Sequence, residues 1–192
     1  ADGDTFSTLM TDNNIKPADS QAILEASKNV YDITTVRAGK KIDLYNDEAS
    51  ALQKLIYKIN TEEYFQATKV DGNWKAEKIK IPYVIKIQTV KGIVNEMLYT
   101  SALEQGIDEL LVLDIADLFQ WQVDFALDIR NGDSYKVIYE ARYLDGNYVM
   151  PGKIIAAEFV NQGQSYFAYS FTDSAGDEAY YDQDGNSTEK MF

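Results

Sequence analysis

Four short runs rich in β-formers follow one another in this chain: Leu52 to Ile59, Tyr64 to Val70, Trp74 to Ile79 and Tyr83 to Val90, with Asp71-Gly72 between the second and third. An Asp-Gly pair adopts positive φ at little cost, and the turn it forms matches the twist of two antiparallel strands. The segment is therefore expected to be an antiparallel meander, interrupted at Pro82. The sequence contains no cysteine and no histidine, so neither a disulfide framework nor an ordinary zinc site can hold it together. Packing must do so. With 45% apolar residues, including 14 Tyr, 8 Phe and 2 Trp, the chain can fill one sizeable core and a smaller one.

Ahead of the meander the periodicity is helical. Gly3-Asp4-Thr5 offers a turn and helix cap before Phe6, Leu9 and Met10, and Pro17 opens a second helix carrying Ala22, Ile23, Leu24 and Ala26, with Asn29 as its stop. Lys41 to Tyr45 alternates as a short strand, and a domain boundary is expected at Asn46-Asp47, giving units of 1–46 and 51–192. Two more helices are expected inside the second unit. Asn95 caps one that carries Met97, Leu98 and Ala102 and stops at Gly106; Asp108 caps another with Leu111, Ile115, Leu118 and Phe119 inward. Strands then resume at Tyr135 to Tyr139, Lys153 to Val160 and Ser165 to Phe171. The expected class is α+β: a small helical unit, then a mainly antiparallel sheet domain with two helices inserted.

Charge excludes several functions. A formal net charge of -13 repels nucleic acid and anionic lipid, and the longest apolar runs are too short to span a membrane. The opening Ala1-Asp2-Gly3-Asp4 lacks the basic and apolar regions of a signal peptide, as expected of a mature or trimmed chain. Without Cys or His, relays built on those nucleophiles and bases are out of reach. Asp114 with Asp117, and Asp124 with Asp128, are spaced to share a helix face, but acidic proteins contain such pairs by chance and no opposed pKa pattern marks them as catalytic. Asp182-Gln-Asp-Gly-Asn186 has oxygen ligands suited to calcium; its glycine is misplaced for an EF-hand loop, so a hairpin turn is expected. No catalytic or metal residue is assigned, and no cofactor is expected in this chain.

One stretch carries more than periodicity. Ile115 to Glu140 contains Trp121 to Phe125, then Arg130-Asn-Gly-Asp133 leading to Val137, and further on come Gly152 to Phe159 and Tyr180-Tyr-Asp-Gln-Asp-Gly185. In this order these elements resemble the non-catalytic region that precedes the catalytic domain in bacterial M23-type zinc endopeptidases, which cut peptidoglycan cross-links. Gly3-Asp-Thr-Phe-Ser-Thr-Leu9 together with Ala38-Gly-Lys-Lys-Ile42 resembles the LysM-like unit that often stands before that region. The family's zinc ligands, His and Asp residues and a His-x-His pair, belong to a domain expected after the segment corresponding to Ser187 to Phe192. None of them can be carried onto this sequence.

The resemblance implies a non-catalytic regulatory region located in the periplasm or cell envelope. It would pack against its own catalytic domain and restrain it, with zinc only in that absent domain. The alternatives are a peptidoglycan-binding or targeting module, or a structural spacer. Candidate glycan contacts are Asp4, Thr5, Asn13 and Asn14, which sit near turns where helix capping is the favoured role of their side chains. Trp121, Phe125, Tyr139 and Phe171 are the candidate core or interface anchors, with Trp121 and Phe125 expected in the core because residues four apart share a helix face. Tyr135, Tyr139, Tyr143, Tyr148, Tyr166, Phe167, Tyr169 and Phe171 fall on both faces of adjoining strands, so aromatic surface is expected on a sheet face free to meet a neighbour.

Overall fold

Thr5 begins the first helix, α1 (Phe6–Asp12), with a reciprocal cap: its hydroxyl accepts from the Thr8 N–H at 3.2 Å, and the Thr8 hydroxyl accepts from the Thr5 N–H at 2.8 Å. Two otherwise unpaired donors are satisfied this way. Pro17 occupies the first turn of α2 (Pro17–Ser27), where its missing N–H costs nothing. These positions belong to a computed structural model that describes residues 5–36 and 40–188. After a 3-10 turn at Ile33–Thr35, four strands form one antiparallel sheet in the order β1 (Ile42–Asn46), β2 (Leu52–Lys58), β3 (Glu63–Val70) and β4 (Asn73–Lys80). Asp71 and Gly72 turn β3 into β4 at φ of 50° and 80°, the hairpin the Asp-Gly pair predicts. Phe6, Met10, Ile23 and Ile33 from the helical side bury against Leu55, Tyr57, Phe65 and Ala67 of the sheet.

The chain divides into two compact units, Ala1–Pro82 and Tyr83–Phe192. The 46–51 link, where the sequence reading places a boundary, is a tight connection inside a hairpin. Asn46 stands opposite Leu52, and the Asp47 carboxylate accepts from Ala49 N–H at 3.0 Å and Ala51 N–H at 2.9 Å. Three of the four meander strands thus complete the sheet that β1 starts. Only the fourth run belongs to the second unit, and Pro82 marks the change.

In the second unit five strands pair antiparallel in sequence order: β5 (Val84–Ile93), β6 (Ser134–Leu144), β7 (Asn147–Asn161), β8 (Gln164–Thr172) and β9 (Glu178–Tyr181). Helices α3 (Leu98–Glu104) and α4 (Glu109–Phe119) are inserted between β5 and β6. Asp108 caps α4 as expected, accepting from Leu110 N–H at 2.9 Å. Asn95 does not cap α3. Met97 holds that position without a side-chain bond, while the Asn95 backbone N–H donates to Ser101 Oγ at 3.0 Å. Leu111, Ile115, Leu118 and Phe119 pack with Tyr135, Val137, Tyr139, Ala157, Phe159 and Ala168 in one core. Those strand residues all lie on one face, so both helices cover the same side of the sheet. The whole is an α+β chain, helical at its start, with helices inserted between runs of antiparallel strand. Among the described residues no helix is long and apolar enough to cross a membrane.

Candidate functional site

Of the side chains first considered for glycan contact, those of Thr5 and Asn13 are engaged locally. Thr5 is the helix cap already described, Asn13 donates from Nδ2 to Leu9 O at 2.8 Å, and Asn14 takes the left-handed conformation at φ 58° just after α1. Asp4 lies outside the described residues. The acidic pairs also separate. Asp114 and Asp117 do share α4, but Asp124 and Asp128 sit in a turn, where Asp124 Oδ1 accepts from Ala126 N–H at 2.9 Å and Leu127 N–H at 3.1 Å. Asp182 staples its own turn by accepting from Asp184 N–H at 2.9 Å and Asn186 N–H at 2.8 Å. The Asn186 side-chain and backbone bonds hold its carboxyl below the usual range. Among the described residues no group of three or more His, Cys, Asp or Glu could hold a metal ion.

The Arg-x-Gly-Asp motif has a structural explanation. Asp133, only 4% exposed, accepts from the backbone N–H of Arg130 at 2.8 Å and of Gln162 at 2.7 Å, and from Asn161 Nδ2 at 2.7 Å. It ties the turn before β6 to the β7–β8 hairpin. The Arg130 guanidinium does not turn to Asp133 but donates to the carbonyls of Leu127 and Ile129, each at 2.8 Å.

Two surfaces stand out among the described residues of the second unit. The first is the sheet face opposite the helices. Residue pairing sets Ile138, Ala156, Tyr169 and Tyr181 in one row across β6 to β9, with Lys136, Glu158 and Phe167 in the adjacent row. Phe167 and Tyr169 stack with centroids 6.3 Å apart, and Phe171 meets Tyr181 edge to face at 6.2 Å. Phe171 is 60% exposed and Ile87, on the same face of β5, 59%. Small Ala156 between Ile138 and Tyr169 leaves a shallow depression of about 140 Å³. This is an exposed, ordered aromatic surface of the kind that anchors interfaces.

The second surface is a groove of about 740 Å³ between α4 and the β7–β9 side of the sheet, lined by Asp114, Asp117, Gln120, Trp121, Lys153 and Tyr180 among others. Burial first, then the charges of Asp117 and Asp108, push the Asp114 carboxyl above its ordinary value. Tyr180 donates to Ile154 O at 2.9 Å; burial, then the charges of Glu178 and Asp114, raise its phenol to about 12. Lys153 pairs with Glu178 at 3.1 Å. Trp121 is 50% exposed and lines this groove, so the expectation of a buried Trp121 is corrected. The physical reason is that α4 ends at Phe119 and the chain turns there, so the i, i+4 relation of Trp121 to Phe125 carries no facing.

Of the remaining anchors, Phe125 is half-buried with its ring edge on Phe159 at 5.2 Å, Tyr139 is buried with its hydroxyl donating to Gln88 at 3.2 Å, and Phe171 is on the open face. Lys153 and Tyr180 are groove residues that sequence reasoning missed. The parity of β8 could have separated the faces, since Phe167, Tyr169 and Phe171 alternate with Tyr166, Ala168 and Ser170.

The pattern of a protein family described as the Csd3 second domain matches residues 84–192. The chain is 31% identical over 146 residues, 76% of its length, to the peptidoglycan DD-endopeptidase ShyC of Vibrio cholerae, and 24% identical over 191 residues, 99% of its length, to ShyA of the same organism. It spans 33% and 44% of those two proteins. Among solved structures, a zinc-containing peptidase from Vibrio cholerae aligns over the full chain and 58% of its own length with TM-score 0.72 and 22% identity. Csd3 of Helicobacter pylori aligns over 94% of this chain and 48% of its own with TM-score 0.71 and 18% identity. At these identities the likeness is one of fold.

Proposed function

Because the chain belongs to the family of the Csd3 second domain, we propose that it is the non-catalytic regulatory region of a bacterial murein endopeptidase, packing against a zinc catalytic domain and restraining it. The zinc domain would belong to the parent protein. This chain's own residues do not fit zinc, since histidine and cysteine are absent and the described carboxylates form no ligand cluster. The observation that carries the reading is the aromatic sheet face of the second unit in a chain that spans only part of peptidoglycan endopeptidases similar to it. A face on which Phe167, Tyr169, Phe171 and Tyr181 are held in register by backbone pairing is preorganised for a partner and loses little side-chain entropy on docking. Holding a domain over a cleft lowers the populated fraction of the competent state and so the observed rate. The first unit is assigned as LysM-like, and the setting as the periplasm or cell envelope, on the sequence resemblance.

Adding the chain in trans to the parent's isolated zinc domain should slow release of cross-linked muropeptides. The effect should be weaker than in the intact protein, because the effective concentration set by the covalent link is lost. Tyr169→Ala with Phe171→Ala should relieve the slowing. Equal rates for the intact parent and its bare zinc domain, with no effect of the added chain, would overturn the proposal.

A further inference from the structure

The outward side of the two inserted helices carries apolar residues that the fold does not cover. On α4 the inward stripe of Leu111, Val112, Ile115, Leu118 and Phe119 is buried, while Leu110 and Leu113 face the other way, 46% and 47% exposed. On α3 Leu98 and Ala102 are buried, while Tyr99 and Leu103, one turn apart, are 41% and 37% exposed. The two pairs belong to one surface: α3 packs on α4, and the Tyr99 hydroxyl donates to Glu109 Oε1 at 2.5 Å between the helices. Residues three or four apart on a helix are neighbours, so each pair makes a short apolar ridge, and two ridges side by side are a patch rather than scattered exposure.

The charges around this patch have one sign. From Gly92 to Ile129 the sequence has no lysine or arginine, whereas Glu104, Glu109, Asp114 and Asp117 lie on the helices and Glu96 and Asp108 near their starts. Burial, then the like charges of Asp117 and Asp108, raise the Asp114 carboxyl. Lys153, which lines the neighbouring groove with Asp114 and Asp117, is paired with Glu178 at 3.1 Å. Asp108 is committed to the α4 cap and to the Tyr148 hydroxyl, which donates to it at 2.9 Å. The exposed Glu104, Asp114 and Asp117 therefore rim the apolar ridges with negative charge.

Complementarity selects the occupant. Nucleic acid and anionic lipid are repelled by the acids. A second copy meeting this face with its own would set acid against acid. A wholly apolar partner would strip water from the carboxylates without replacing their hydrogen bonds. A helix with aliphatic side chains at i, i+3 or i+4 and i+7, flanked by lysine or arginine, matches both the spacing of the ridges and the sign of the rim.

We propose that the outer face of α3 and α4 docks a basic amphipathic helix of a partner protein, with Leu103, Leu110 and Leu113 as its apolar contacts and Glu104, Asp114 and Asp117 as its charged rim. The inference does not rest on the restraint reading, which uses the opposite side of the sheet.

The test titrates the full chain with a synthetic helical peptide of about four turns built only of leucine and lysine, its leucines on one face. A companion peptide carries glutamate in place of every lysine. Binding is followed by peptide anisotropy and by backbone amide shifts. Saturable shifts with the lysine peptide should map to α3 and α4 and leave residues 167–171 of the sheet face unmoved. Leu110→Gln with Leu113→Gln should weaken binding about tenfold or more, the size of losing two interface contacts. Both side chains are largely exposed, so this variant should fold, and unchanged amide shifts in the strands check that. Glu104→Lys with Asp117→Lys should weaken the lysine peptide and admit the glutamate peptide, a reversal that unspecific adhesion does not give. The proposal is overturned if the lysine peptide moves nothing on α3 and α4, if the double glutamine variant binds it as tightly as the native chain, or if the glutamate peptide binds the native chain equally well. It is also overturned if sedimentation shows a dimer of the native chain that Leu110→Gln with Leu113→Gln dissolves, since the face would then belong to a second copy.

Discussion

Gly92 faces Tyr135 directly across the β5–β6 ladder, and the Tyr135 ring lies over the space a side chain at 92 would need. A Cβ added there would overlap Tyr135 Oη and Gln105 Oε1, and would stand 2.5 Å from Tyr135 Cζ. Tyr135 is 2% exposed in the core and cannot swing aside without disturbing its neighbours. Gln105 is also committed, its side chain accepting from Ile93 N–H at 3.2 Å and donating to Ile93 O at 2.7 Å, which closes the end of edge strand β5. Overpacking of this kind costs about 1–3 kcal/mol, offset by the ~0.4–1 kcal/mol that alanine gains from a less flexible unfolded chain. Gly92→Ala should therefore destabilise the second unit by about 1.5 kcal/mol, lowering its melting temperature by roughly 6–12 °C at the ~4–8 °C per kcal/mol of a small domain. The Tyr135 hydroxyl has no hydrogen-bond partner among the described residues, so Tyr135→Phe alone should be neutral or mildly stabilising, and in combination it should recover part of the loss. Urea denaturation resolved by the amide resonances of each unit would show this. An unchanged midpoint for residues 83–192 in Gly92→Ala, or a loss confined to the first unit, would refute the steric account.

Asp133→Ala strands two backbone N–H groups and the Asn161 amide in a buried site, and should cost about 3 kcal/mol or more; Asp133→Asn, keeping one acceptor, should cost less, read from denaturation midpoints. Asp19 in the first unit accepts from Lys69 Nζ at 2.7 Å and Trp74 Nε1 at 2.9 Å. Burial raises its pKa, but those two hydrogen bonds and the Lys69 charge outweigh it, so the folded value lies below the ordinary 3.8. Its contribution is thus fully present above 3.8 and lost as pH falls through the lower folded value, a dependence that Asp19→Asn should remove from the acid unfolding curve of residues 5–82. Trp121→Ala should change stability by less than about 1 kcal/mol, whereas Phe159→Ala, at a fully buried position, should cost about 3–5 kcal/mol, both measured by urea melts.

Local chemistry made much of this protein readable from its sequence. The caps at Thr5 and Asp108, the Pro17 helix start, the Asp71-Gly72 hairpin and the inward stripe Leu111, Ile115, Leu118 and Phe119 each depend on residues within one turn or one ladder step of each other. So does the α+β class, which follows from where the period changes. What tertiary structure decided is pairing and facing over distance. Whether β2 to β4 belong with β1 or with β5 is settled by which edges hydrogen-bond, and every strand in question carries a similar alternation, so the run at 51–90 was divided between two sheets at Pro82. Trp121 illustrates the same limit: its spacing from Phe125 has meaning only on a helix, and α4 stops at Phe119. The groove and the aromatic face exist only once β7, β8 and β9 lie side by side, because Lys153, Tyr169 and Tyr180 come from three strands and no local periodicity records which strands become neighbours.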